Sequence, residues 1–311
     1  MNMMQAAATA CAAPRAPISL ALVGLGRQGA RHLIRAQQMC ERDNLRLAAI
    51  VDTDPRCAEH AQRSGIDFFS DIDRLPAHVD AAIVATPTCT HLDVGARLLE
   101  RGIDLLIEKP VASGLAETQA LVRLAERHGC IFQVGYLERY HHAFRAHTPD
   151  FSAPARIASH RTTRGSTIGS VAELVLELMI HDLDMIATWL DRTPSMFEWT
   201  HIKRGPNRVS AQLEMHFGTG HHASLLAESG VAEVVRHTRV TAGLREWRFD
   251  WGHDGHAQPG TLGQRTDPIS AQLHSFVHAV RTRTHPLING HSALKAMQLA
   301  ESALQALPEN A

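Results

Sequence analysis

Between Ile18 and Val134 the chain alternates two kinds of hydrophobic segment. Ile18–Val23, Leu45–Asp52, Asp80–Ala85, Asp104–Ile107 and Cys130–Val134 are short, apolar and largely β-branched, without regular polar alternation. That pattern predicts strands buried on both faces, as in a parallel sheet. Gln28–Cys40, Pro55–Ser64, His91–Arg101 and Leu115–His128 instead carry apolar residues at helical spacing. Gly102 and Gly129 follow the last two, where a left-handed glycine commonly ends a helix. Strand–helix alternation of this kind predicts an α/β domain with a doubly wound parallel sheet over residues 17–135.

The pattern changes after Gly135. One helical stretch, Val171–Leu190, precedes strand-like segments at Ser195–His201, Val209–Phe217, His222–Glu228 and Arg236–Ala242. Short turns such as Gly218-Thr219-Gly220 separate several of them, which predicts an open, mostly antiparallel sheet. Trp251–Asp267 reads as a long surface loop, and Pro268–Thr282 and Ser292–Leu307 as closing helices. Residues 136–311 are thus expected to form a second α/β domain.

Composition narrows the function classes. The 311 residues carry Lys+Arg 31 against Asp+Glu 32, so no broad field draws in nucleic acid or an anionic membrane. No apolar run approaches the ~20 residues of a membrane span. The five cysteines are scattered and odd in number, arguing against a disulfide framework or zinc site and for a cytoplasmic protein. Residues 1–16 are Ala-rich, without a basic residue before Arg15 or a continuous apolar stretch. They read as a loose tail rather than an export signal. The adjacent pairs His141-His142 and His221-His222 do not face one way on a helix or strand, and no metal is expected.

Gly24-Leu25-Gly26-Arg27-Gln28-Gly29 fits the G-x-G-x-x-G pattern, and it lies where that pattern has meaning, between the first strand and the first helix. Gly24 permits a tight turn, Gly26 admits a pyrophosphate to the backbone, and Gly29 lets helix and strand approach closely. Free N–H groups at the helix start, at Arg27 and Gln28, favour phosphate charge. Asp52 ends the second strand, where a carboxylate binds ribose hydroxyls and repels a 2′-phosphate. This favours NAD over NADP, although Arg27 and Arg56 offer charge that would compensate a 2′-phosphate. Thr86-Pro87-Thr88, Glu108-Lys109-Pro110 and Gly135-Tyr136 follow later strands, so all lie on the sheet edge where ligands bind.

Two clusters carry candidate chemistry. Pro110 holds Lys109 out of a helical conformation, and a cis bond there would aim its side chain rigidly. Oxidising a secondary alcohol by hydride transfer requires its proton to leave, which a positioned amine can relay. Glu177 and His181 lie four apart, on one predicted helix face inside an apolar run. There the carboxylate would orient an imidazole that exchanges protons near neutral pH.

On these residues the chain resembles the glucose–fructose oxidoreductase, inositol dehydrogenase and MocA family of NAD(P)-dependent enzymes. The resemblance runs from Ile18 to about Leu307 through the glycine turn and Ala85-Thr86-Pro87 with His91. It continues through Glu108-Lys109-Pro110, Gly135-Tyr136-Leu137-Glu138-Arg139, His181-Asp182-Leu183-Asp184 and Pro286-Leu287-Ile288-Asn289-Gly290. It implies a Rossmann domain followed by a domain whose open sheet forms a homodimer or homotetramer interface. Lys109 becomes the catalytic lysine and His181 its proton-transfer partner. Thr86, Pro87, His91 and Glu108 fall to the cofactor, and Tyr136, Arg139, Arg164 and Asp182 to the substrate. The run from Leu176 to Asp184 is similar to UDP-N-acetylglucosamine 3-dehydrogenase-type members, which oxidise a sugar 3-hydroxyl. Glu177 stands where the family commonly has Asp, and His141-His142 where it often has Asn-Pro. The expectation is an NAD-dependent dehydrogenase of a sugar or sugar nucleotide. An NADPH-dependent keto-sugar or imine reductase and a non-catalytic NAD sensor stay open.

Overall fold

The structure is a computed structural model and describes residues 16–40, 42, 44–165, 168–251 and 267–309. The expected tail before Ala16 and most of the loop after Trp251 lie outside the described residues. The first half runs β1 (Ile18–Val23), α1 (Arg27–Cys40), β2 (Leu45–Val51), α2 (Ala58–Arg63), β3 (Asp67–Phe69), β4 (Ala81–Val84), α3 (His91–Glu100), β5 (Asp104–Ile107), α4 (Leu115–His128) and β6 (Phe132–Val134). Its six strands pair in the order β3-β2-β1-β4-β5-β6, all parallel. Every residue of β1, β4, β5 and β6 is buried, as a sheet covered on both faces demands. Gly102 and Gly129 have φ of 73° and 62°, the left-handed geometry their positions predict.

The second half comprises α5 (His142–Ala146), β7 (Ala155–Thr163), α6 (Val171–Leu174), α7 (Ile180–Leu190), β8 (Met196–Gly205), β9 (Arg208–His216), β10 (His222–Ser229), β11 (Arg236–Ala242), β12 (Arg245–Asp250), α8 (Pro268–Thr282) and α9 (Gly290–Gln305). Its sheet runs β12-β11-β7-β10-β9-β8, antiparallel except where β7 and β10 pair in parallel. Three strands escape the sequence pattern. β3 is three residues long, and β7 and β12 carry charged residues that break up their apolar positions. The single helix expected over Val171–Leu190 is divided by a π turn at Val175–Met179, a widened segment often found at functional sites.

The last two helices return to the first sheet. Leu273, Phe276 and Val277 of α8 pack in one core with Leu20, Leu22, Ile83 and Leu106. On the opposite side, α9 packs in the core shared with α4 and α7. Arg35 binds Asp267 at 2.7 Å, and the Gln133 amide donates to the Gln272 carbonyl at 2.9 Å. The C-terminal segment therefore belongs structurally to the nucleotide-binding half as much as to its own.

Candidate active site

At the carboxyl end of the parallel sheet, chain order reverses between β1 and β4, the switch point where such folds bind ligands. Gly24 sits there with φ +89°, and a Cβ on it would meet the Ala85 carbonyl oxygen at 2.7 Å. A Cβ on Gly29 would lie 2.0 Å from the Gly24 carbonyl oxygen, whereas one on Gly26 would meet nothing within 4 Å. Gly24 and Gly29 thus close the turn against β4 and α1, and Gly26 between them leaves the backbone open for a pyrophosphate. These residues fit a dinucleotide. Gly29→Ala should cost ~1–3 kcal/mol of stability by forced overpacking and abolish the rise in melting temperature that NAD produces in the parent. An alanine variant that NAD still stabilises fully would contradict this role.

Asp52 Oδ2 accepts the Leu25 backbone N–H at 2.6 Å, and Oδ1 accepts that of Asp54 at 2.8 Å. The carboxylate therefore braces the glycine turn from the end of β2 and stays partly exposed. Asp54 caps the next turn and holds Arg56 at 2.6 Å, so that arginine's charge is already answered. Arg27 is exposed, and Gln28 accepts a bond from Arg31.

The loops after β4 and β5 are tied together from below. The ring nitrogens of buried His91 lie 2.9 Å from the Pro110 carbonyl and 2.8 Å from that of Thr86. Thr86 also accepts from Thr90 at 2.8 Å. Glu108 is buried against His32 of α1 at 2.7 Å. Burial would raise its pKa, but His32 and the Lys109 charge hold it below the usual glutamate value. His91 and Glu108 thus shape the crevice from within the protein. Pro87 begins the turn that leads into α3. His32 is a supporting residue that sequence reasoning missed.

Lys109 is joined to Pro110 by a cis peptide bond. Its Nζ donates to the Glu177 side chain and backbone carbonyl, both at 2.9 Å. The π turn beginning at Val175 presents that carbonyl across the crevice. Glu177 therefore serves the lysine and does not orient His181, contrary to the expectation drawn from their spacing. The imidazole is held instead by Glu138, whose Oε2 lies 2.6 Å from His181 Nδ1. Glu138 Oε1 binds Arg161 of β7 at 2.7 Å, and the same guanidinium binds Asp182 at 2.7 Å.

Electrostatics follow from this enclosure. Burial lowers the pKa of His181, Glu138 pulls it back up, and Arg161 and Lys109 lower it again, leaving it below the ordinary histidine value. Burial opposes ionisation of Glu138, yet the charges of His181 and Arg161 hold its pKa well below the usual range.

The residues expected to meet substrate are placed differently. Tyr136 is 0% exposed and belongs to the core. Asp182 is buried in its pair with Arg161. Arg139 donates to the Leu287 carbonyl at 3.1 Å and lies 3.5 Å from Asp184. It lines a cavity of about 350 Å³ between α7 and α9, which shares no lining residue with the Lys109 and His181 group. Burial raises Asp184 to about 7. Arg164 is exposed, with its Nε donating to the Ala232 carbonyl at 2.6 Å. Burial and ion pairing thus remove Tyr136, Arg139 and Asp182 from the crevice surface. Among the described residues no group of three or more His, Cys, Asp or Glu side chains is arranged to hold a metal, and no helix is long and apolar enough to cross a membrane.

A parallel sheet in this order with a glycine turn at its switch point is a dinucleotide-binding arrangement. Residues 18–136 match the GFO_IDH_MocA model, described as an oxidoreductase family with an NAD-binding Rossmann fold. It is 25% identical over 298 residues to the UDP-N-acetylglucosamine 3-dehydrogenase of Acidithiobacillus ferrooxidans, covering 90% of this chain and 94% of that one. A myo-inositol dehydrogenase of Streptomyces leeuwenhoekii is 30% identical over 185 residues, covering 56% of this chain and 55% of the relative. The solved structure of the Acidithiobacillus enzyme superposes with a TM-score of 0.78 at 23% identity, over 93% of this chain and 97% of that one.

Proposed function

We propose that this enzyme oxidises a secondary hydroxyl of a sugar or sugar nucleotide, with the 3-hydroxyl of a UDP-N-acetylhexosamine as the leading candidate. The observation that carries the reading is the pairing of Lys109 with Glu177 and of His181 with Glu138, close enough that the lysine's charge acts on the imidazole. When bound, NAD supplies the acceptor for the hydride that leaves the carbinol carbon. Gly24, Gly26 and Gly29 would admit its pyrophosphate, and Asp52 the adenosine ribose. With two of its N–H bonds given to Glu177, Lys109 directs the remaining one into the crevice, where it orients the substrate oxygen. His181 exchanges the alcohol proton through Nε2, since Nδ1 is committed to Glu138.

Asp52 and Asp54 stand together at the end of β2, which supports NAD over NADP. The sugar-nucleotide reading is supported by the full-length similarity to a UDP-N-acetylglucosamine 3-dehydrogenase. A homodimer or homotetramer joined through the open sheet and a cytoplasmic location complete the reading. A melting experiment should give a larger rise with NAD than with NADP, by mass action on the folded state. Formation of reduced nicotinamide should then be followed across polyols, hexoses and UDP-sugars. Turnover of UDP-N-acetylhexosamines is the expected result. Activity on inositol or free hexoses alone would overturn the sugar-nucleotide assignment, and no turnover of any alcohol would overturn the dehydrogenase reading.

A further inference from the structure

We infer that Glu138 is the residue that positions His181, fixing which ring nitrogen carries the proton, and that Glu177 has been given over to Lys109. This rests on the reading of Lys109 and His181 as the proton-handling pair. The inference is built from geometry. Glu138 lies in the turn after β6, 43 residues before His181, and reaches it at 2.6 Å. Its second oxygen is held by Arg161 of β7 at 2.7 Å, so the carboxylate cannot swing away from the imidazole. Arg161 is itself anchored by Asp182, the residue after His181. The chain of contacts runs from His181 through Glu138 and Arg161 back to the first turn of α7, and every member is largely buried.

The chemical consequence is specific. Glu138 is ionised and can only accept, so His181 Nδ1 must carry hydrogen and donate it. The lone pair then sits on Nε2, on the opposite side of the ring. When that nitrogen takes a proton, the imidazolium forms beside a fixed carboxylate that stabilises it. The charged groups facing His181 are Glu138 from the turn after β6, Arg161 from β7 and Lys109 from the end of β5. Only the first favours the cation. Glu177, on the turn preceding His181, is answered by Lys109.

The test uses the full-length protein and four variants, Glu138→Gln, Glu138→Asp, Asp182→Asn and His181→Asn. Histidine labelled with nitrogen-15 reports the tautomer of His181 by NMR, the His181→Asn variant supplying the assignment. The parent should show the Nδ1–H form, and Glu138→Gln should shift it toward Nε2–H. Asp182→Asn perturbs the same Arg161 network without touching the imidazole, and should leave the tautomer unchanged. In kinetics, Glu138→Gln should lower kcat by roughly 10²-fold with KM little altered. It should move the acid limb of kcat/KM to lower pH by on the order of one unit. Glu138→Asp should recover part of the loss. An Nε2–H tautomer in the parent, or equal effects of Glu138→Gln and Asp182→Asn, would overturn the assignment. The NMR result decides it even if no sugar is turned over, an outcome that would count against the dehydrogenase reading alone.

Discussion

Replacing Lys109 by alanine should lower kcat for the alcohol substrate by about 10²–10⁴-fold, the usual worth of a positioned proton-transfer group. The fold should hardly notice. The side chain of Glu177 is 45% exposed, so losing its partner returns a carboxylate to water rather than stranding it in the core. NAD should still raise the melting temperature, because the glycine turn and Asp52 lie on other strands. Steady-state kinetics beside a thermal shift assay checks both halves. A Lys109→Ala enzyme with parental kcat would remove the lysine from the chemistry, whereas one that no longer responds to NAD would make it a cofactor ligand instead.

Arg161→Met has the opposite profile, with its largest effect on stability. The guanidinium side chain is 3% exposed and lies between Glu138 and Asp182, both of which are also buried. Its removal leaves two carboxylates facing each other in the interior, which should cost about 3–5 kcal/mol. The pH dependence has a definite sign. Glu138 has a folded pKa depressed well below its ordinary value, burial being outweighed by His181 and Arg161. Such a group contributes stability above the unfolded pKa of ~4.3, and that contribution is lost as pH falls through the lower folded value. Parent and variant should therefore differ most near neutrality and converge under acid conditions. Denaturant melts at several pH values measure this. A constant difference across the range would mean that Arg161 acts by packing rather than by charge.

The two effects separate because they arise on different sides of the crevice. Lys109 emerges from the end of β5 into partly solvated space, so its proposed contribution is to reaction. Arg161 comes from the second sheet and pairs with Glu138 and Asp182, so its contribution is first to neutralising two buried carboxylates. One helix receives both, and its π turn lets Glu177 face the lysine while His181 faces Glu138.

The parallel sheet was legible because strands buried on both faces leave uninterrupted apolar runs, and Gly102 and Gly129 marked the helix ends between them. β7 was not, because Arg156, His160 and Arg161 interrupt its apolar positions. Arg161 is there to neutralise two buried carboxylates, a reason that exists only in three dimensions. The position of the glycine turn after β1 and of Lys109 after β5 could be read from local spacing alone. Glu138 could not, since its partner lies 43 residues away, and Glu177 at i−4 offered a plausible local substitute. The available signal was a glutamate among Val134, Tyr136, Leu137 and Tyr140 directly after a strand, where an unpaired carboxylate would be costly. Tyr136, Arg139 and Asp182 look like substrate contacts in one dimension because they flank the reactive residues. Tyr136 is in the core, Asp182 is paired with Arg161, and Arg139 lines a separate cavity between α7 and α9.

The most direct measurement is the crystal structure of the enzyme with NAD and a substrate alcohol, or its unreactive deoxy analogue where turnover is too fast. Lys109 Nζ and His181 Nε2 are expected within hydrogen-bond reach of one and the same hydroxyl oxygen, about 2.6–3.2 Å from each. A complex in which that oxygen met neither nitrogen, with its proton directed to some other side chain, would contradict the account.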